Sequence, residues 1–178
     1  MLRIAMLCFL VLQVVTSEPP PLKCGPAPKL KNPLDCCPLP EVFKEEDYNE
    51  CGLKIYFDDD GKVENRTMEE YCNKLKCLLN KYNLMKDETS VDKEAVGTFM
   101  DKWADTNEDF RDAVEIAKNK CLKEDLSKIF EEGYELCQPS IFVYCTSVTV
   151  YSNCPIWKDM QICKDVKEFM DDCKPFFP

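Results

Sequence analysis

Apolar residues recur at three- and four-residue steps through most of the chain, the spacing of one face of an α-helix. From 68 to 82 the stripe is Met68, Tyr71, Cys72, Leu75, Leu78, Leu79 and Tyr82. Thr67-Met-Glu-Glu70 in front of it reads as a capping box, in which the Thr and Glu side chains satisfy backbone donors of the first turn. Asp92 opens a second helix with Ala95, Val96, Phe99, Met100 and Trp103 on one face. Thr106-Asn-Glu-Asp109 predicts another start, followed by Phe110, Ala113, Val114, Ala117 and Cys121. Asp125 predicts a fourth, with Leu126, Ile129, Phe130, Gly133, Tyr134 and Cys137. Pro155 suits the first turn of a last helix, whose stripe is Ile156, Met160, Cys163, Val166, Met170 and Cys173 and which Pro175 ends. A further short helix is expected within 41–50.

The stretch 140–151 fits two patterns. Ile141, Val143, Val148, Thr149 and Val150 carry strand propensity, while Ile141, Tyr144, Cys145 and Val148 follow helical spacing. No other segment reads as a partner strand, so a helix is expected, and one that is apolar nearly all round belongs in the interior. Residues 18–40 hold Pro19 to Pro21, Pro26, Pro28, Pro33, Pro38 and Pro40; proline removes backbone donors and stops helices, so this segment is expected to be an extended arm. Residues 52–62 read as a polar loop with Asp58-Asp59-Asp60-Gly61. A calcium loop needs spaced oxygen ligands and a closing Glu. Glu69 falls at the closing position, but Lys62 and Val63 stand where ligands are required, and a solvated turn is the reading.

The first 17 residues change the picture of the cysteines. Arg3 is followed by an almost wholly apolar run from Ile4 to Val15, with small residues Val15 and Ser17 at the −3 and −1 positions of a cleavage site. At about 12 apolar residues the run is too short to span a bilayer and reads as a secretory signal peptide. Its removal takes Cys8 from the 13 cysteines and leaves an even set: Cys24, Cys36, Cys37, Cys51, Cys72, Cys77, Cys121, Cys137, Cys145, Cys154, Cys163 and Cys173. An even set in an oxidising compartment predicts six disulfides, in one of roughly ten thousand pairings. Adjacent Cys36 and Cys37 are disfavoured from bonding each other and are expected to tie one point of the chain to two others. There is no C-x-x-C pair, so neither zinc nor a redox dithiol is indicated.

Charge and composition narrow the function. The chain carries a formal charge of −10, which opposes phosphate binding and argues against nucleic acid as a partner. It has no histidine, which excludes Ser-His-Asp and Cys-His catalysis, histidine-held haem and His-containing zinc sites. The 33 acidic residues make any chosen carboxylate pair non-specific. The expectation is a non-enzyme without cofactor or metal. Cysteines fall on helix stripes, so the disulfides join helix to helix, and a shell crosslinked in this way tolerates a cavity.

The cysteine order resembles that of insect odorant-binding proteins, and in particular their Plus-C subclass, of which mosquitoes are a typical source. Cys72 and Cys77 flank YCNKLKCLLNKYNLM, 43 residues precede Cys121, and Cys145 and Cys154 are separated by eight residues, with Pro155 directly after Cys154. The resemblance places six core cysteines at Cys51, Cys72, Cys77, Cys121, Cys145 and Cys154, and implies first–third, second–fifth and fourth–sixth pairing. Two departures leave that pairing open. Four residues rather than three separate Cys72 from Cys77, and Cys137 intrudes so that either it or Cys121 takes the fourth place. The implied fold is all-α, a compact disulfide-crosslinked bundle of about six or more helices around an apolar cavity. It would divide into the signal peptide 1–17, a Pro/Cys-rich arm 18–50, a helical core 51–154 and a C-terminal helical extension 155–178.

The implied function is a secreted carrier that solubilises small hydrophobic odorants or semiochemicals in the lymph bathing olfactory hairs and delivers them to receptors. Its partners would be the small hydrophobic ligand and, as the resemblance allows, a second copy of the chain and an olfactory receptor, without stable membrane insertion. A non-olfactory lipid or hormone carrier is the nearest rival, and a cysteine-rich protease inhibitor a more distant one. Candidate ligand-lining residues are Leu79, Tyr82, Phe99, Met100, Trp103, Phe130, Tyr134, Phe142, Tyr144, Val148 and Trp157, with Tyr82, Tyr134 and Tyr144 as hydrogen-bond donors. Helical stripes pack cores by default, so each of these also fits an ordinary core role. Asn65-Arg66-Thr67 is a glycosylation sequon that shares Thr67 with the helix cap. Without histidine, ligand release at mildly acidic pH is expected to be weak.

Overall fold

The computed structural model describes residues 24, 28–30, 32–53, 67–123, 126 and 137–174. Within these the chain forms six α-helices: α1 (Glu45–Glu50), α2 (Met68–Lys81), α3 (Lys93–Thr106), α4 (Arg111–Cys121), α5 (Gln138–Ser152) and α6 (Gln161–Cys173). Among the described residues the only β pairing is an isolated bridge between Met85 and Val91. The fold is all-α and crosslinked by six disulfides.

Local chemistry accounts for the helix ends. At α2, Thr67 Oγ1 accepts from Glu70 N–H at 3.2 Å while the Glu70 carboxylate accepts from Thr67 N–H at 3.2 Å, the reciprocal box expected there. Asp92 caps α3 by accepting from Glu94 and Ala95 N–H, both at 3.0 Å. The predicted start at Thr106 is different. Thr106 is the last residue of α3, and both its hydroxyl and the Asn107 amide donate to Trp103 O, at 2.9 and 2.8 Å. Those groups close the helix behind them, and a 3₁₀ turn over Glu108–Phe110 leads into α4.

Helix α5 resolves the ambiguous stretch as a helix with Pro139 in its first turn. It touches α2, α4 and α6, with α3 packed on α4 and α1 on α2. Phe142, Cys145 and Thr149 are buried, whereas Tyr144 is 45% exposed, so the helix is interior on all but one strip. The expected helix start at Pro155 is corrected. Helix α6 begins at Gln161, and Ile156 and Met160 lie exposed rather than on a buried stripe. Cys154 is bonded to Cys37 and Lys158 N–H donates to Cys36 O at 2.9 Å, which holds this stretch alongside the arm instead of in a helix. From Cys163 on the stripe is buried as read: Cys163, Val166, Met170 and Cys173. The helix expected from Asp125 lies outside the described residues apart from Leu126, which is buried, and Cys137, which stands in front of α5 as its N-cap; the triple-Asp loop lies outside them as well.

The disulfides fall into two sets. Cys51–Cys77, Cys72–Cys137 and Cys121–Cys145 tie α1 to α2, α2 to the start of α5, and α4 to α5. They reproduce first–third, second–fifth and fourth–sixth pairing for the order 51, 72, 77, 121, 137, 145. Cys137 therefore takes the fifth place and Cys145 the sixth, which corrects the assignment of Cys145 and Cys154 to those places. Geometry explains the shift: Cys137 caps α5, and Cys145 lies eight residues on, about 12 Å along the axis at 1.5 Å per residue, level with the end of α4. The second set, Cys24–Cys173, Cys36–Cys163 and Cys37–Cys154, fastens the arm to α6 and to the segment before it. Adjacent Cys36 and Cys37 do tie one point to two others. The arm itself is not wholly extended, since Pro33–Asp35 forms a 3₁₀ turn capped by the Asn32 side chain.

Helix α1 ends in a Schellman turn. Gly52 sits at φ +68°, Gly52 N–H donates to Asn49 O at 3.0 Å, and Leu53 N–H donates to Tyr48 O at 2.8 Å, which turns Leu53 into the cluster with Leu75 and Leu78. A β-carbon at Gly52 would meet only the Lys74 side chain, at 3.4 Å, so a substitution is penalised by backbone conformation rather than by a clash. Gly52→Ala is expected to lower the unfolding free energy by about 1 kcal/mol, read as a shift of the denaturation midpoint at unchanged slope.

Candidate functional site

The arm does not stop at its disulfides. After Cys37 it continues through Leu39, Val42 and Phe43 across the open side of the helices, and these three form one wall of a cavity of about 170 Å³. Tyr48 of α1, Leu79 of α2 and Leu84 just beyond α2 form the second wall. Helix α3 contributes Val96, Phe99, Met100 and Trp103, α4 contributes Val114, and α5 contributes Phe142, Val143, Thr146, Ser147 and Val150. Val42 and Ser147 are the exposed members, so the mouth lies between arm and α5. The volume is close to the ~150 Å³ at which an apolar engineered cavity stays dry and takes up benzene.

Five of the residues named from sequence line this cavity: Leu79, Phe99, Met100, Trp103 and Phe142. Tyr82, Tyr144, Val148 and Trp157 do not. Tyr144 is on the exposed strip of α5, and Trp157 packs edge-on against Tyr151 at 5.2 Å, where it supports the arm instead. Phe130, Tyr134 and the sequon residue Asn65 lie outside the described residues. Leu84, Val96, Val114, Val143, Thr146, Ser147 and Val150 were not named from sequence as lining residues, nor were Tyr48 and the arm residues. The arm's signal is the short apolar run Leu39, Val42, Phe43 after the last prolines, too brief to show a period.

Phe43 is the hinge between arm and helices. Its ring stacks on Phe99 at 5.3 Å and meets Tyr82 edge-on at 4.8 Å and Tyr48 edge-on at 5.8 Å. Trp103 Nε1–H donates to Glu41 O at 2.9 Å, so α3 also holds the arm backbone. Tyr82 has a clamping role: its hydroxyl donates to Asp47 Oδ2 at 2.6 Å and accepts from Lys44 N–H at 3.0 Å. Lys81 pairs with Asp47 at 3.1 Å and with Glu50. These contacts lock α1 onto the end of α2 beside the cavity. A shallower, partly polar groove on the far side of Leu84 and Phe99, with Asp92, Glu94 and Lys102 on its rim, is open to solvent.

The lining holds few polar groups, and most are committed. Thr146 Oγ1 donates to Phe142 O and Val143 O, both at 3.0 Å. The Trp103 N–H is taken by Glu41. The Tyr48 phenol is pushed up to about 12, first by burial and then by its neighbours Tyr82, Glu41 and Tyr71, so it stays protonated over the whole physiological range. No group of three or more metal-ligating side chains occurs among the described residues. Nor is any described helix long and apolar enough to cross a membrane.

Comparison with known proteins adds one relative. The chain is 24% identical over 184 residues to general odorant-binding protein 68 of Anopheles gambiae, an alignment covering 96% of this chain and 84% of the relative. No family model matches the chain, and no solved structure matches it. The similarity to insect odorant-binding proteins read from the cysteine order thus extends over nearly the whole chain, and six disulfides are consistent with the cysteine-rich Plus-C subclass.

The clamp sets a pH dependence. Hydrogen bonds from Tyr82 and then Lys81 hold the Asp47 carboxyl below its ordinary value of 3.8. Its contribution to stability is complete above that value and is lost only as pH falls further through the depressed one. The stability difference between the wild type and Asp47→Asn is therefore expected to be equal at pH 7 and pH 5.5 and to shrink below pH 3.8, as read from urea unfolding at each pH.

Proposed function

We propose that the chain is a secreted, non-enzymatic carrier that takes up small apolar molecules in the cavity between arm, α3 and α5, and that it serves to solubilise odorants for delivery to olfactory receptors. The observation that carries the reading is the apolar cavity of about 170 Å³, closed by an arm that two disulfides fix in place. The relative named for odorant binding supports it. Six disulfides fit an oxidising, extracellular setting.

The energetics suit a carrier. A ligand that fills the cavity removes about 200 Å² of apolar surface from water, worth about 5 kcal/mol at ~25 cal/mol per Å². That corresponds to a dissociation constant in the sub-millimolar range. Such affinity lets a carrier exchange its ligand readily. Met100, half-buried in the wall, is unbranched and adapts to ligands of different outline. The acidic surface, with 33 Asp and Glu against 23 Lys and Arg, keeps the loaded protein soluble and apart from anionic membranes.

The test is displacement of a bound fluorescent arene, 1-aminoanthracene, by small volatiles. Wild-type protein is expected to bind the probe and release it to aromatic and short aliphatic volatiles. Val143→Phe, which points a ring into the cavity from α5, is expected to weaken uptake by about tenfold while the disulfide-intact fold persists by circular dichroism. Absence of displacement by every apolar compound would overturn the carrier reading.

A further inference from the structure

Four lining residues among those described carry a side-chain hydrogen-bond donor: Tyr48, Trp103, Thr146 and Ser147. Trp103 donates to the arm backbone and Thr146 to its own helix. Ser147 is exposed at the mouth and faces water. Tyr48 alone is half-buried, lines the cavity and has no hydrogen-bond partner among the described residues. Its ring is held edge-on to Phe43 at 5.8 Å, and its place on α1 is fixed by the clamp through Asp47 and by the turn at Gly52. The phenol is thus a preorganised donor in an otherwise apolar chamber.

We infer that Tyr48 is the specificity-determining residue of the cavity, donating one hydrogen bond to a neutral ligand oxygen, so that the preferred cargo is a small ketone, aldehyde or ester and carboxylates are refused. This rests on the carrier reading and names the ligand class of that same site. A neutral carbonyl oxygen accepts from the phenol and leaves no buried donor unpaired, whereas a pure hydrocarbon forfeits that bond. A carboxylate would have to leave water with no compensating cation, because the described lining contains no Lys or Arg. Phenol ionisation does not interfere, since burial holds Tyr48 neutral.

The experiment titrates three ligands of matched size, acetophenone, ethylbenzene and benzoate, into wild type and Tyr48→Phe by calorimetry. Wild type is expected to bind acetophenone about fivefold more tightly than ethylbenzene, the size of one net hydrogen bond, and not to bind benzoate. Tyr48→Phe is expected to erase the fivefold preference and leave ethylbenzene unchanged. Independently of any variant, the carbonyl stretch of acetophenone bound to wild type is expected at lower frequency than in hexane. Equal loss of both neutral ligands in the variant, an unshifted carbonyl band, or tight benzoate binding would each overturn the inference while the carrier reading stands. If neither ethylbenzene nor acetophenone binds wild type, the carrier reading itself falls, and this inference with it.

Discussion

The bonds at Cys36 and Cys37 are the constraint on which the cavity depends. They join adjacent residues of the arm to Cys163 in α6 and Cys154 before it, across sequence separations of 127 and 117. Each closes a loop long enough that the chain-entropy estimate is ~4.7 kcal/mol, although neighbouring loops do not add in full. An unfilled space of about 170 Å³ costs ~4 kcal/mol at ~24 cal/mol per Å³. One such crosslink therefore offsets the void. Without the two bonds, Leu39, Val42 and Phe43 would be held over the helices by non-covalent contacts such as Phe43 stacking, the Trp103 bond to Glu41 and the Tyr82 bond to Lys44. The wall would then be free to collapse inward or lift away.

The same bonds explain what α5 does. It packs on α2, α4 and α6 alike. Its ends and middle are stitched by Cys137 to α2 and Cys145 to α4, and Cys154 just past its end leads to the arm. A helix so fixed does not need polar faces to set its rotation. One side packs Phe142, Cys145 and Thr149 into the core, and an adjoining side shows Val143, Ser147 and Val150 to the cavity. A helix apolar nearly all round is thus shared between core and pocket.

Much of this was legible in the residue pattern. The caps at Thr67 and Asp92 and the stripes of α2 to α4 follow from local rules, because each depends on contacts within a few residues, whereas α5 is locally ambiguous and reads as a helix only because no other segment offers a partner strand. The α6 start was misread because Pro155 suits a helix start locally, and only the distant partners Cys37 and Cys36 hold that stretch outside the helix. The same nonlocality hid the arm's wall of the pocket. Phe99, Met100 and Trp103 could be named because they share a stripe, but a stripe cannot tell Tyr82, which turns its hydroxyl to Asp47, from a residue facing the void. Leu39, Val42, Phe43 and Tyr48 carry no period, and the covalent ties that bring the first three to the site link positions more than a hundred residues apart.

The arrangement also narrows how a ligand can enter and leave. The walls are crosslinked, the clamp at Asp47 holds through mild acid, and the sequence has no histidine to change charge near neutrality. An opening driven by histidine protonation is therefore excluded. What remains adjustable is side chains: Val42 and Ser147 at the mouth, and Met100, whose unbranched chain swings without disturbing the backbone. Exchange through such rotamers is fast and needs no trigger, and it suits an affinity set by a small cavity and a single hydrogen bond. Release on dilution then needs no change of the protein's own shape.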